Sequence, residues 1–393
     1  MQLERGNEWK TMIIKPMMSC VRRSAAITLR LAIGVMVLAT LASSAGIRHE
    51  LLYVVDTGHQ DENKAQVLVV DTQSKTIIKT YRAGYHPDLA VSPDGSRLYL
   101  SYDLVQPDAK TTGIMDVIDT ATGSKVTSVS DPDRVYDTMD DVVSHMALSA
   151  DGGLLYIARV QDLLNGEVAF GVAVFDTATN KFLPDMISLP RCGEGLLVPS
   201  KTSRTLSVVC RGSRDVRITQ FDAKGIPLTQ LPGHIPLRQH NEVSIATAFM
   251  SGDEELSVVL EDGNYSKIDL QAGKYSQEGI IAFSPPLKAG KEFIGPFQTA
   301  VWHGRVFLVL ATLDDYRSSG LASAIAVLDL KTLQQERIIE VEKPFSNVAI
   351  TSDGTLLIAD PESSAMHMLT ASGTETGKII GVGVSPTIAV PSP

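Results

Sequence analysis

Residues able to do chemistry are few and scattered in this chain. Two segments gather them most densely: GHIPLRQHNE, with His234, His240 and Glu242, and DTMDDVVSH, with Asp137, Asp140, Asp141 and His145. Imidazole nitrogens and carboxylates of this kind are ligands for divalent cations, but neither segment has a recognised ligand spacing. A solvated polar loop is the better account of each, and no metal site is expected. No GxSxG, HExxH, CxxCH or Gly-Lys-Ser phosphate cradle is present, so a self-contained hydrolase, haem or nucleotide site has no support. Asn264-Tyr265-Ser266 matches a glycosylation triplet at the start of a strand, a match expected by chance.

The cysteines say more. Cys192 and Cys210 flank GEGLLVPSKTSRTLSVV, which reads as two strands around an SKTSR turn. In an antiparallel hairpin the partners share a constant index sum, and the midpoint of the pair falls in that turn. The two thiols are therefore expected to meet across adjacent strands as a disulfide that pins one inner hairpin and spares the loop face.

That bridge needs an oxidising compartment, and the N-terminus points to one. VRRSAAITLR is basic, LAIGVMVLATLA is an apolar run of about 12, and SSAG supplies small residues for cleavage after Ala45. Residues 1–45 thus read as an export signal, and 46–393 as the mature domain in the periplasm or beyond. The apolar run is short for a membrane span. Of 35 basic and 45 acidic residues the signal removes six and two, leaving 29 against 43, or −14. With no basic run, a nucleic-acid partner is excluded.

The elements that position these groups form a repeat. PDLAVS, an Asp-Gly turn, RLYLSY, a variable loop, IMDVIDTATG and KVTSVS read as four short strands with alternating apolar residues. Inner strands recur near Pro87, Ser144, Glu194, Ile245, Phe297 and Phe345. Third strands recur as VLVVDT, DVIDTATG, AVFDTATN, ITQFDAKG, SKIDLQAG, AVLDLKTL and the degenerate HMLTASG. The missing inner strand is the tail GVSPTIAV, and the domain opens on an unpaired second strand, LLYVVD. The sequence therefore predicts an all-β, seven-bladed β-propeller whose C-terminal inner strand pairs with its N-terminal second strand, leaving no free sheet edge. The Asp-Thr pairs ending the third strands read as turn caps, not as catalytic acids.

Ring order sorts the connections. Turns between first and second strands, and between third and fourth, lie on one face; the long segments all lie on the other, where function is expected. His59, His86, His234 and His240 fall on that loop face, with His145 at its margin.

The blade pattern YVVD…VLVVDT…GYHPDLAVSPDGSRLYLS resembles the YVTN type of propeller repeat. More narrowly, ISLPRCGEGLLVPSKTSRTLSVVCRGS, GNYSKIDLQAG, DDYRSSGLASAIAVLDLKT and GKIIGVGVSPTIAV resemble the heavy subunit of quinoprotein amine dehydrogenases, the methylamine dehydrogenase heavy chain among them. The resemblance implies a propeller that holds a small light chain carrying tryptophan tryptophylquinone, with a cupredoxin or cytochrome c as electron acceptor. It implies no cofactor and no catalytic residue in this chain. Such a quinone needs two cross-linked tryptophans, and the chain has only Trp9, inside the signal, and Trp302. The family places a phenylalanine beside a histidine at the substrate channel; here His59 is followed by Gln60. The alternative from a different class is an exported YVTN-type binding propeller without an enzymatic partner.

Overall fold

Residues 50–56, 65–105, 111–131, 146–162, 168–189, 192, 194–211, 215–230, 235–236, 245–283, 292–294, 299–312, 321–383 and 386–389 are described by the computed structural model. The export-signal segment 1–45 lies outside them. Among the described residues there is no α-helix, and none therefore long and apolar enough to cross a membrane.

The strands form seven antiparallel sheets, numbered here as blades 1 to 7 with strands A to D in order across each blade. Blade 2 shows the pattern: Tyr85–Val91, Arg97–Val105, Thr111–Asp119 and Ser124–Asp131. Strands A to C of blades 3, 4 and 5 are Met146–Leu148, Leu154–Asp162 and Val168–Asp176; Glu194–Pro199, Leu206–Arg211 and Asp215–Phe221; and Ile245–Met250, Glu255–Leu260 and Asn264–Asp269. Blade 6 has a split strand A, Glu292–Ile294 and Ala300–Trp302, then Arg305–Thr312, Ala322–Asp329 and Gln335–Phe345. Blade 7 comprises Asn347–Ile350, Leu356–Asp360, Ala365–Leu369 and Glu375–Ile380. The inner strand expected near Phe345 begins two residues later, and Phe345 itself ends the outer strand of blade 6.

Blade 1 is assembled from both parts of the chain. Its strand A is Pro386–Ala389, antiparallel to Leu51–Asp56 with Tyr53 opposite Ala389, and Gln66–Asp71 and Thr76–Arg82 follow. Packing closes the same junction: Leu52, Val54, Leu68 and Val70 of blade 1 share one buried cluster with Leu357, Ala359, Met366 and Met368 of blade 7. Burying such side chains contributes about 1.5–3 kcal/mol each, so side-chain packing outweighs the short ladder in holding the ring shut. Equivalent clusters fill the other six junctions.

Because each blade is covered on both faces by its neighbours, strands B and C do not alternate in burial; Leu52 to Val55 are all buried. Alternation survives on outer strands such as Thr76–Arg82, which exposes every second residue or more. The Asp caps bond as expected: Asp329 Oδ1 accepts the N–H groups of Thr332 at 2.7 Å and Lys331 at 3.1 Å. On this short-turn face side chains also reach the next blade. Lys79 Nζ donates to Gly123 O at 2.8 Å, Arg204 Nε to Asp151 Oδ2 at 2.6 Å, and Glu50 accepts from Ser352 N at 3.0 Å and Oγ at 2.9 Å.

Candidate functional site

The opposite face receives the B–C and D–A connections. Of the residues expected there, His59, Gln60, His145, His234 and His240 lie outside the described residues, as do Asp137, Asp140, Asp141 and Glu242. Among the described residues no group of three His, Cys, Asp or Glu side chains is arranged to hold a metal ion.

His86 is described, and its surroundings are built with care. It enters strand A of blade 2 with φ of 46°, in the left-handed region, where the ladder slips between Tyr85 and Asp88. The slip follows from Gly84, where an added Cβ would stand 2.0 Å from the Asp103 carbonyl oxygen; only glycine lets the chain approach so closely. The irregularity swings the imidazole onto the neighbouring strand, where Nδ1 lies 3.3 Å from Asp103 Oδ2. The carboxylate is 3% exposed and the ring 36% exposed, so a buried anion orients a ring that still reaches solvent. A strained non-glycine residue costs on the order of 1–3 kcal/mol and marks a place where geometry serves more than packing.

Two further buried charges stand at the loop end of neighbouring strands. Arg159, the largest fully buried side chain, donates through Nη2 to Asp131 Oδ2, joining strand B of blade 3 to the last residue of blade 2. Asp56 ends strand B of blade 1, accepts from Gln66 Nε2 at 3.3 Å, and packs against Gly383, where a Cβ would strike its carboxylate. Below them Asp116 receives Lys125 Nζ at 2.6 Å, Ser128 Oγ at 2.6 Å and Tyr102 Oη at 3.1 Å; burial, then the Asp116 charge, pushes the Tyr102 phenol up. Among the described residues, blades 2 and 3 also have the longest B and C strands, nine residues each against six in blade 1. At the tip of the first, Leu104 and Val105 are exposed.

Cys192 and Cys210 are joined as a disulfide. The hairpin register pairs Gly195 with Cys210, so the index sum is three higher than a directly facing pair would need. Cys192 instead precedes the strand and folds back onto it, with Cα atoms 5.4 Å apart. The bridge therefore closes the open, loop-face end of the blade 4 hairpin, contrary to the expectation that it spares that face.

The arrangement can orient an imidazole, bury charges and present apolar side chains, but Trp302 is committed elsewhere. Trp302 ends the second segment of strand A in blade 6, next to the A–B turn, where Nε1 donates to Ser352 O at 3.2 Å and the indole stacks on His303 with centroids 4.2 Å apart.

The family profile described as Methylamine dehydrogenase heavy chain (MADH) matches residues 49–392, the whole propeller. The chain belongs to that family. No curated protein matches this heavy-chain family member in sequence. Its fold is shared with a putative 6-phosphogluconolactonase from Bacteroides fragilis, at 13% identity and a TM-score of 0.56 over 88% of this chain and 99% of that one. It is also shared with the dihydro-heme d1 dehydrogenase NirN in complex with DHE, at 15% identity and a TM-score of 0.51 over 87% and 75%. At such identities the likeness concerns the heavy chain's fold alone.

Proposed function

We propose that this chain is the non-catalytic heavy subunit of an exported quinoprotein amine dehydrogenase. Membership of the heavy-chain family across residues 49–392 carries the reading. On it, the loop face holds a small light chain, and that chain's tryptophan tryptophylquinone supplies the carbonyl chemistry for oxidative deamination of a primary amine, with electrons passing to a cupredoxin or cytochrome c. On this reading the present chain holds no such group itself, because the quinone needs two cross-linked tryptophans and the chain has only Trp9, inside the expected export signal, and Trp302. Its own part is to bind and orient. On this reading His86, oriented by buried Asp103, belongs with His59, Gln60, His145, His234 and His240 to the residues that serve the substrate entrance or the partner face.

Co-expression with a small, cysteine-rich exported chain carrying two tryptophans, followed by affinity capture from the periplasm, tests this. A stable complex should reduce a dye in the presence of a primary amine, and the isolated heavy chain should not. Gln60→Phe should shift the preference among amines, because a channel wall acts through differential transition-state binding. Amine oxidation by the isolated chain, or a light chain bound to the short-turn face, would overturn the reading. Failure to recover any small chain would favour a binding propeller instead.

A further inference from the structure

Blade 7 carries a histidine with no part in the site above. His367 sits in the middle of strand C, AMHML, where every residue is buried. Strand alternation turns it toward blade 6, together with Ile358 and Asp360 of strand B. Its Nε2 lies 3.4 Å from Asp360 Oδ2 and its Nδ1 lies 3.2 Å from Glu375 Oε1, so one ring, 10% exposed, spans three adjacent strands. A neutral imidazole has one N–H donor and one lone pair. In either tautomer one nitrogen would turn its lone pair toward a carboxylate. Only the imidazolium donates at both.

We propose that His367 is a proton-operated clamp, which ties strands B, C and D of blade 7 when protonated and releases Glu375 when neutral. Asp360 cannot be the member released, because its turn holds it independently. Its Oδ1 accepts the N–H groups of Glu362 at 3.0 Å and Ser363 at 3.1 Å, and its Oδ2 accepts Ser363 Oγ at 2.5 Å. Burial pushes the Asp360 carboxyl up, but these bonds and His367 more than offset it and leave it below the ordinary range. Glu375 has no such brace, is 51% exposed, and borders a cleft of about 230 Å³ between blades 6 and 7. Across that cleft the outer strand of blade 6 presents Glu340, Glu342 and Lys343, while Lys378 is the ladder partner of His367 on strand D. Carboxylates thus outnumber ammonium groups around the ring. An imidazolium held between two carboxylates only in the folded state stabilises while it keeps its proton, and that contribution is lost once rising pH removes the proton.

The test compares the mature chain with its His367→Gln variant, which cannot titrate. The melting-temperature advantage of the unaltered chain should shrink steadily as the pH is raised from mildly acid to mildly alkaline. In the unaltered chain, amide exchange across Glu375–Ile380, corrected for the intrinsic pH effect, should quicken roughly tenfold relative to the other blades over the same range. Glu375→Gln should flatten that response while leaving the fold intact. An advantage that stays constant or widens with pH would overturn the proposal. So would corrected exchange in this strand that does not change with pH relative to the other blades, a measurement that decides alone if His367→Gln does not fold.

Discussion

Replacing Cys192 and Cys210 together by alanine isolates what the bridge does. The bond closes a loop with a sequence separation of 18, for which the chain-entropy relation gives about 3 kcal/mol at 25 °C. Alanine is the informative choice because Cys192 is fully buried beside Tyr156, Phe170 and Val208. A serine hydroxyl left unbonded there would add a separate penalty of about 1–3 kcal/mol. Unfolding entropies of about 2.1 cal/mol/K per residue, over the 49–392 span, come to about 0.7 kcal/mol/K for the propeller, so Tm should fall by about 4 °C. Scanning calorimetry on the oxidised proteins measures this directly. The same scans on both proteins refolded under reductant should bring the two curves together. If the oxidised double variant melts with the parent, or the gap survives reduction, the loop-closure explanation is wrong.

Three other perturbations test the surrounding framework. Arg159→Met leaves the buried Asp131 carboxylate without its guanidinium and should cost roughly 3–5 kcal/mol in urea unfolding, much of it recovered when Asp131→Leu is added; no recovery would count against a buried-charge origin. Ser92 and Ser96 hold Asp94 down to about 2, and Gly153 N–H, Ser149 and Arg204 do the same for Asp151 against a smaller opposing effect of burial. Both depressed groups stabilise above the unfolded carboxylate range, so the urea midpoint should fall as pH drops from about 4 to about 2, and Asp94→Asn should blunt that fall. Glu50→Ala removes three contacts with Ser352 across the junction of blades 7 and 1 and should lower stability by up to about 1 kcal/mol, being exposed; unchanged melting would show that these contacts add nothing to the closure made by the ladder and the packing.

The architecture was legible because one supersecondary unit recurs, and because the three strands that open the domain and the single strand that ends it make up one blade. What pattern could not supply was register. The Cys192–Cys210 pair was recognisable, yet its placement by hairpin symmetry was three residues out, because the chain folds back before strand A begins. Asp103 was missed as the partner of His86 for a similar reason: the slip between Tyr85 and Asp88 shifts which residues face each other. His367 passed unnoticed within a degenerate third strand, although an imidazole among the apolar neighbours of AMHML was itself a signal, since a buried ring requires polar partners. The remaining histidines sit in connections whose composition identifies a face and no partner.

Pairing Tyr53 with Ala389, and Glu50 with Ser352 at a separation of 302, also sets the order of events when the chain folds. Hairpins within a blade need only local search and can form early. The ring can complete only after the tail strand has been synthesised, and its closure must overcome the entropy of joining the two most distant parts of the domain. Until that moment strand Leu51–Asp56 presents one unsatisfied edge, the feature that invites pairing with other chains. Capture of the tail strand by blade 1 is therefore the step that removes this edge, however far the other blades have formed by then.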